Sequence, residues 1–518
     1  MHRLVIALVT LIGLTGAAVV AGYLFLFSAG ADRAAALAPA NSAFYVNLYL
    51  QPSNGQQMNL SGLIGRLPGF ADEASLDEKV DQIVQNLLSG SGLDYRTQVK
   101  PWLGDQVAIA GRPGSADPAE MQTVAIAEVR DAEAARASVA EVVGDSDETF
   151  RAESYGGVDL QVGDTATYAF VDEMLVIGTS VDEVHAVIDA SGGADSLADR
   201  ADFRAAMDAL PADHLASAFV DFVALTDAAG VDGDVAEART ASAVLVAERE
   251  GLRVSGSAPL VAADDASAAA APASSQPSTL AEWMPSDTVA EVALFGLRGI
   301  LEDAEAAAGS APAGEDIAST LDTLRAVAAF GLGIDIDNDL LPLLDREVGV
   351  AITGVDGDMP TGTLLLRPED ADAAAEALGR VADRLGAIGG ASDETDVDGT
   401  TITTLSIPDI GEMSYAVVEG TVILGLGAED IGAAIEAHES GASLAASDDY
   451  ARTFDLAGTR AGSEVYVDVG ALVELLGDGI ELPEDARDIL LQVGSFGLSA
   501  PSRPDQIEFH AVLTIDEP

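Results

Sequence analysis

One pattern occurs twice in this chain. Residues 167–225 run beside residues 414–472 at a constant offset of 247, without a gap, and 16 of the 59 aligned positions are identical. Tyr168 meets Tyr415, Gly178 meets Gly425, Ser196 and Leu197 meet Ser443 and Leu444, Phe203 meets Tyr450, and Val220-Asp221 meets Val467-Asp468. A repeat of this period constrains architecture before any motif does. Weaker landmarks extend it upstream. Ala38-Pro39 matches Met284-Pro285, and Pro101-Trp102-Leu103-Gly104 matches Pro342-Leu343-Leu344-Asp345 at offset 241. Val107–Gly111 aligns with Val350–Gly354.

The expected architecture is two tandem homologous α+β lobes, each a mainly antiparallel sheet with helices packed on one face. The boundaries read as a cytoplasmic tip 1–3, a membrane anchor 4–27, a first lobe 37–259, an Ala/Ser/Pro linker 260–279 and a second lobe 280–518. Either lobe is long enough to bury its own core. Within the first lobe, aromatic and branched residues predict strands at 43–50, 106–111, 122–129, 157–162, 166–171, 174–178 and 215–222, with a hairpin near 241–258. Helical spacing marks 76–88, 131–143, 180–190 and 201–209, and Ser180-x-x-Glu183 reads as a capping box.

Charge excludes some partners. The chain carries 86 acidic against 25 basic residues, a net of −61, and its only lysines are Lys79 and Lys100. Such a field repels phosphate backbones, so nucleic acid is not an expected partner. The acidity fits either a high-salt host, where charges are screened, or a GC-rich codon bias. With no cysteine, disulfides, thiolate metal sites and a cysteine nucleophile are excluded.

Leu4 to Phe27 is a run of 24 uncharged residues after Arg3. At about 1.5 Å per residue such a helix crosses a hydrocarbon core of about 30 Å. Its length favours an uncleaved anchor over a signal peptide, although Ala29-Gly30-Ala31 offers a cleavage spacing. Arg3 places the start in the cytoplasm and the bulk outside it.

These landmarks resemble a bacterial family known as domain of unknown function 3352. The resemblance rests on the amino-terminal apolar segment, the Leu37-Ala38-Pro39-Ala40-Asn41 start, Gly92-Leu93-Asp94, and Pro101-Trp102-Leu103-Gly104. It implies a membrane-anchored exported protein and supplies no catalytic residues.

The candidate sites weaken on comparison of the copies. Gly425-Leu-Gly427 followed by Gly432 has the wrong spacing for a dinucleotide loop and reads as a tight turn. Asp335-x-Asp337-Asn338-Asp339 resembles the start of a calcium loop but lacks the later glycine and glutamate, which leaves at most weak Ca2+ binding. The five histidines show no metal spacing and read as surface or helix-end residues. Asn59-x-Ser61 matches a glycosylation sequon. No catalytic, cofactor or metal residue can be assigned.

Three landmarks remain. Trp102 reads as a core anchor or a partner contact, and Asp221 and Asp468 end a strand in both copies. The expected function is a non-enzymatic binding or scaffold module of the cell envelope, tethered to the membrane and facing an unknown envelope protein or an apolar ligand. The alternative is an extracytoplasmic hydrolase with dispersed catalytic residues.

Overall fold

A computed structural model describes residues 32–51, 53–68, 81, 85, 94–114, 121–144, 148–228, 238–260, 276–299, 301–302, 325, 334–356, 359–387, 390–397, 399–407, 411–477, 487, 489–503 and 506–517. The expected anchor 4–27, most of helix 76–88 and most of the linker lie outside them. Among the described residues no helix is long and apolar enough to cross a membrane.

The chain divides into two compact units, Met1–Val261 and Ala262–Glu517. In unit 1 the elements are β1 (Phe44–Tyr49), α1 (Asn54–Arg66), β2 (Leu103–Pro113), β3 (Met121–Val129) and α2 (Ala132–Gly144). Then come β4 (Arg151–Tyr155), β5 (Val158–Val162), β6 (Thr167–Val171), β7 (Met174–Gly178), α3 (Val181–Ser191) and α4 (Ala201–Asp208). The unit closes with β8 (Ala216–Asp221), α5 (Phe222–Ala228), β9 (Thr240–Ala247) and β10 (Gly251–Pro259). Every pairing is antiparallel, and the sheet runs β4-β5-β6-β7-β3-β2-β1-β8-β9-β10.

Unit 2 contains β11 (Ala290–Phe295), β12 (Glu347–Asp356), β13 (Met359–Arg367), α6 (Ala371–Ala387), β14 (Ala391–Val397), β15 (Thr400–Ile407), β16 (Gly411–Val418) and β17 (Thr421–Gly425). It continues through α7 (Ala428–Ser440), α8 (Asp448–Ala457), β18 (Ser463–Asp468), α9 (Val469–Leu476), β19 (Val493–Ala500), β20 (Ser502–Arg503) and β21 (Gln506–Ile515). Its sheet runs β14-β15-β16-β17-β13-β12-β11-β18-β19-β21, again antiparallel, with β20 paired to β21. The architecture is α+β.

The two strand orders coincide, and so do local details. Leu197 N–H donates to Ala38 O at 2.8 Å, and Leu444 N–H to Met284 O at 2.7 Å. The hydroxyls of Ser42 and Thr288 each donate to a proline carbonyl, Pro39 and Pro285, at 2.7 Å. The β6–β7 and β16–β17 turns each begin with a non-glycine residue at positive φ, Asp172 (53°) and Glu419 (48°). Two-residue hairpin loops demand that conformation.

Pairing also corrects one alignment. Phe44 lies opposite Gly111 and Ala290 opposite Ile352. With Phe44 equivalent to Ala290, the second strands correspond at offset 241, so Val107 matches Val348, not Val350. A slip of two residues keeps every side chain on its face, which is why alternation alone does not reveal it.

The helices cover both sheet faces, contrary to the expected single face. In unit 1, Tyr45, Ala108, Ile126 and Val176 pack with Val184 and Ile188 of α3 and Phe203 of α4. The opposite face, through Val107, Ala127, Leu175 and Ile177, packs with Trp102 and with Ala135 and Val139 of α2. Unit 2 repeats this, with α7 and α8 on one face and α6 with Leu343 on the other.

Candidate functional site

The repeated aspartates end a central strand and start a helix. Asp468 Oδ1 accepts from Ala471 N at 2.8 Å and so caps α9. Asp221 Oδ1 accepts from Ala224 N at 3.1 Å at the same corner of unit 1. The backbone N–H groups of both donate to the first strand of their unit, Asp221 to Ala43 O and Asp468 to Val289 O. A carboxylate suits this position because it satisfies helix N–H groups left open and complements the dipole. The copies diverge beyond that. Asp221 Oδ2 also accepts from Arg200 at 2.8 Å, and Arg200 further binds Asp202 and the carbonyls of Ala40 and Ser42. Ser447 stands at the Arg200 position in unit 2.

Trp102 is buried against α2, and its indole N–H donates to Gln98 O at 2.6 Å. Leu343 fills the equivalent place beneath α6. The three landmarks bond to separate partners, and each belongs to the scaffold around it.

Other motifs resolve into packing. Asp339 is buried and accepts from Arg380 at 2.9 Å and Arg384 at 3.3 Å, and Asp335 accepts from both nitrogens of Asn338. Arg380 beside Asp339 holds its carboxyl below the usual range. Among the described residues no group of three or more acids or histidines is arranged to hold a metal. At the glycine turn, Gly427 N–H donates to Asp430, which fills the start of α7. Asn59 sits inside α1 with its amide on Ala247 O at 2.8 Å. Ser180 caps α3, but Glu183 does not complete the box: its buried carboxylate pairs with Arg112 at 2.7 Å. Three histidines pack on aromatic rings: His185 on Tyr155, His214 against Tyr49, and His438, in the last turn of α7 as a helix-end residue, on Trp283.

Sequence reading missed a set of polar residues buried between the sheet and the segment that enters each unit. In unit 2, Ser278 and Thr279 are clamped to the sheet, although they fall in the expected linker. Ser278 N–H donates to Glu464 at 3.0 Å and its hydroxyl to Glu347. Thr279 N–H donates to Glu347 at 2.9 Å. Glu464 also accepts from the Tyr450 hydroxyl at 3.0 Å and from Arg460 at 3.1 Å. Between these strands lies Glu291, with 0% exposure and no hydrogen-bond partner on either carboxylate oxygen. Burial, aided by the Glu464 carboxylate, pushes Glu291 up to about 8. Burial raises Glu464 as well, against the pull of Arg460.

Unit 1 uses neutral groups in the same places. Gln106 takes the position of Glu347 and accepts from Arg33 N and Ala34 N at 3.2 and 3.3 Å. Tyr45 stands where Glu291 does, and its hydroxyl donates to Asp32 at 2.6 Å. Ser217 stands where Glu464 does. Burial raises the Asp32 carboxyl, opposed by Tyr45 and Ala35 N–H. The one available signal was an acid inside an apolar strand, Val289-Ala-Glu291-Val-Ala-Leu294, which period-2 reading places on the core face.

The opposite face of unit 2 carries a different feature. Val292 lies opposite Val350, and Val350 opposite Leu364, on three neighbouring strands. They are 37%, 39% and 36% exposed. The row continues to Val465 on one side and Leu424 on the other. In unit 1 the same row is Val46, Ile109 and Ala125. There Ile109 and Ala125 are only 8% and 4% exposed.

The family model described as "Protein of unknown function (DUF3352)" matches residues 4–513. The chain belongs to the DUF3352 family. Among curated proteins none matches it. Two solved structures of TP0453 share weak similarity with this DUF3352 protein. Crystal form III aligns at 10% identity over 44% of this chain and 80% of that one, with a TM-score of 0.25. Crystal form I aligns at 10% identity over 44% and 79%, with a TM-score of 0.26.

Proposed function

We propose that this protein is a membrane-tethered, extracytoplasmic binding module built from two homologous lobes, one of which presents an apolar sheet face to a partner protein of the envelope. The supporting observation is the Val292–Val350–Leu364 row. Single exposed apolar residues are ordinary, but three cross-strand neighbours, with Cβ atoms roughly 5 Å apart, form a continuous strip. A row on a sheet face offers extended contact, which suits a protein surface better than the concave pocket a small apolar ligand prefers. The apolar run 4–27 supplies the tether, and the net charge of −61 disfavours nucleic acid.

The hydrolase alternative draws no support from the proton-retaining acid Glu291. Glu291 is wholly buried, where a substrate does not reach it.

The test places a photo-crosslinking amino acid at Val350 or Leu364 in intact cells. A discrete adduct in the membrane fraction, abolished by Val292→Asp and absent with the label at exposed Asp159, is the expected result. An adduct with a lipid instead of a protein would redirect the reading to an apolar ligand. Equal labelling from all three positions would overturn it. Protection of the chain from external protease in spheroplasts would overturn the topology.

A further inference from the structure

We propose that unit 2 contains a proton-operated latch, in which protonation of the buried Glu291 carboxyl keeps the entry segment 276–289 clamped to the sheet. The geometry carries this in three steps.

First, Glu291 is poorly placed to bear charge: burial and Glu464 oppose it, and only the Tyr450 hydroxyl and Arg460 nearby favour it. Neither oxygen has a hydrogen-bond partner, and no part of the residue reaches water. An ionised carboxylate in such a place costs several kcal/mol after relaxation, whereas a neutral one costs far less.

Second, the surrounding charges balance only when one carboxyl is neutral. Tyr466 lies opposite Glu291 on β18 with Glu464 further along that strand on the same face, Tyr450 approaches from α8, and Glu347 lies further along β12, opposite Phe295. Arg460 approaches from the connection between α8 and β18, and Arg367 lies opposite Glu347 on β13. Three carboxylates against two guanidinium groups leave one negative charge in the core; one proton removes it. Tyr450, whose hydroxyl burial raises well above its usual value, stays a neutral donor. The upward shift of Glu291 agrees with this count.

Third, the cluster holds the entry segment. Glu464 and Glu347 accept the bonds donated by Ser278 and Thr279, Arg460 donates to the Ser278 carbonyl at 3.0 Å, and Arg367 donates to the Thr279 hydroxyl. Loss of the Glu291 proton sets a bare carboxylate beside Glu464. The repulsion is relieved by admitting water or withdrawing Glu464 from Ser278, and both outcomes loosen the segment. Unit 1, with Tyr45 and Ser217 at the two positions, lacks the device.

The experiment is hydrogen exchange read by mass spectrometry on the full chain between about pH 6 and about pH 9, corrected for intrinsic exchange. Peptides covering 276–289 and 463–468 should lose protection at least tenfold as pH rises, while those covering β1 and β8 stay level. Glu291→Gln, which cannot ionise, should flatten the unit 2 response. An unchanged response in Glu291→Gln, or an equal response in both units, would overturn the proposal. A second readout needs only the native chain: infrared difference spectra should show one protonated carboxyl vanishing in step with the lost protection. Carboxyls fully ionised from neutral pH upward would defeat the latch.

Discussion

The two units solve one packing problem with different chemistry. Each must tie down its entry segment with a side chain from the start of its second strand. Unit 1 uses Gln106, an amide, and fills the space behind it with Tyr45 and Asn47. Unit 2 uses Glu347 and adds Glu291 and Glu464. The amide version binds the equivalent backbone donors with a neutral acceptor, and the acid of that segment, Asp32, takes hydrogen bonds from Tyr45 and Ala35 N–H. The carboxylate version binds them more strongly, because charged acceptors make stronger hydrogen bonds, but it needs arginines and a proton to remain neutral. The outer faces differ in the opposite sense: unit 1 covers its apolar row, and unit 2 leaves it open. The same scaffold thus tolerates a change of polarity on one surface of its sheet and a change of exposure on the other.

The most disruptive way to separate the units is to empty a core anchor. Trp102→Ala should destabilise unit 1 by about 3–5 kcal/mol and leave unit 2 protection intact, as read by hydrogen exchange resolved to each unit. Joint loss would show that the units share one cooperative transition.

Glu291 is raised from 4.5 to about 8, so the folded state keeps a proton that the unfolded chain releases. Stability of unit 2 therefore falls as pH rises from about 4.5 to about 8, by a few kcal/mol at about 1.4 kcal/mol per pKa unit. His214 in unit 1 has the opposite sign. Burial lowers it, so the unfolded chain takes up the proton first, and stability falls as pH drops below 6.5. Denaturant midpoints across this range should show the two slopes, and Glu291→Gln should remove only the alkaline one. A midpoint unaffected by Glu291→Gln would break the comparison.

A truncation sharpens the unit boundary. A fragment 276–518 should unfold cooperatively. A fragment 280–518 lacks Ser278 and Thr279, leaves Glu347 short of donors, and should be weaker by roughly 2 kcal/mol. Equal stability of the two would show that the clamp is ornamental.

The smallest effect concerns the helix caps. Asp468→Ala should cost about 1 kcal/mol. Asp221→Ala should cost somewhat more, because it also strips Arg200 of its partner on β8. Thermal midpoints of the two variants distinguish these.

Much of the scaffold was legible because the repeat supplied each element with a second reading. The strands at 167–171, 174–178 and 216–221 and the helix at 181–191 sit within a residue or so of their expected bounds. β4 was missed because it is polar on both sides and largely exposed, so it carries no alternation. The double-sided helix layer was missed for a related reason. Met174-Leu-Val-Ile-Gly178 is buried throughout, and a run apolar on both faces does not announce how many layers cover it. The buried acids were hidden by abundance: among 86 carboxylates, only register across strands brings Glu291, Glu347 and Glu464 together. Asp221 and Asp468 drew notice as repeated residues, and the structure gives them a local task at a strand-to-helix corner.

The entry clamp has a consequence for synthesis. Ala34 is fixed by Gln106, 72 residues later, and Leu280 by Glu347, 67 residues later. The first strand then needs β8 or β18, which emerges later still. Loops of this length must close before their contacts reward them. Each unit therefore waits, open-edged, until nearly all of its chain has left the ribosome, and its earliest residues are among the last to be secured.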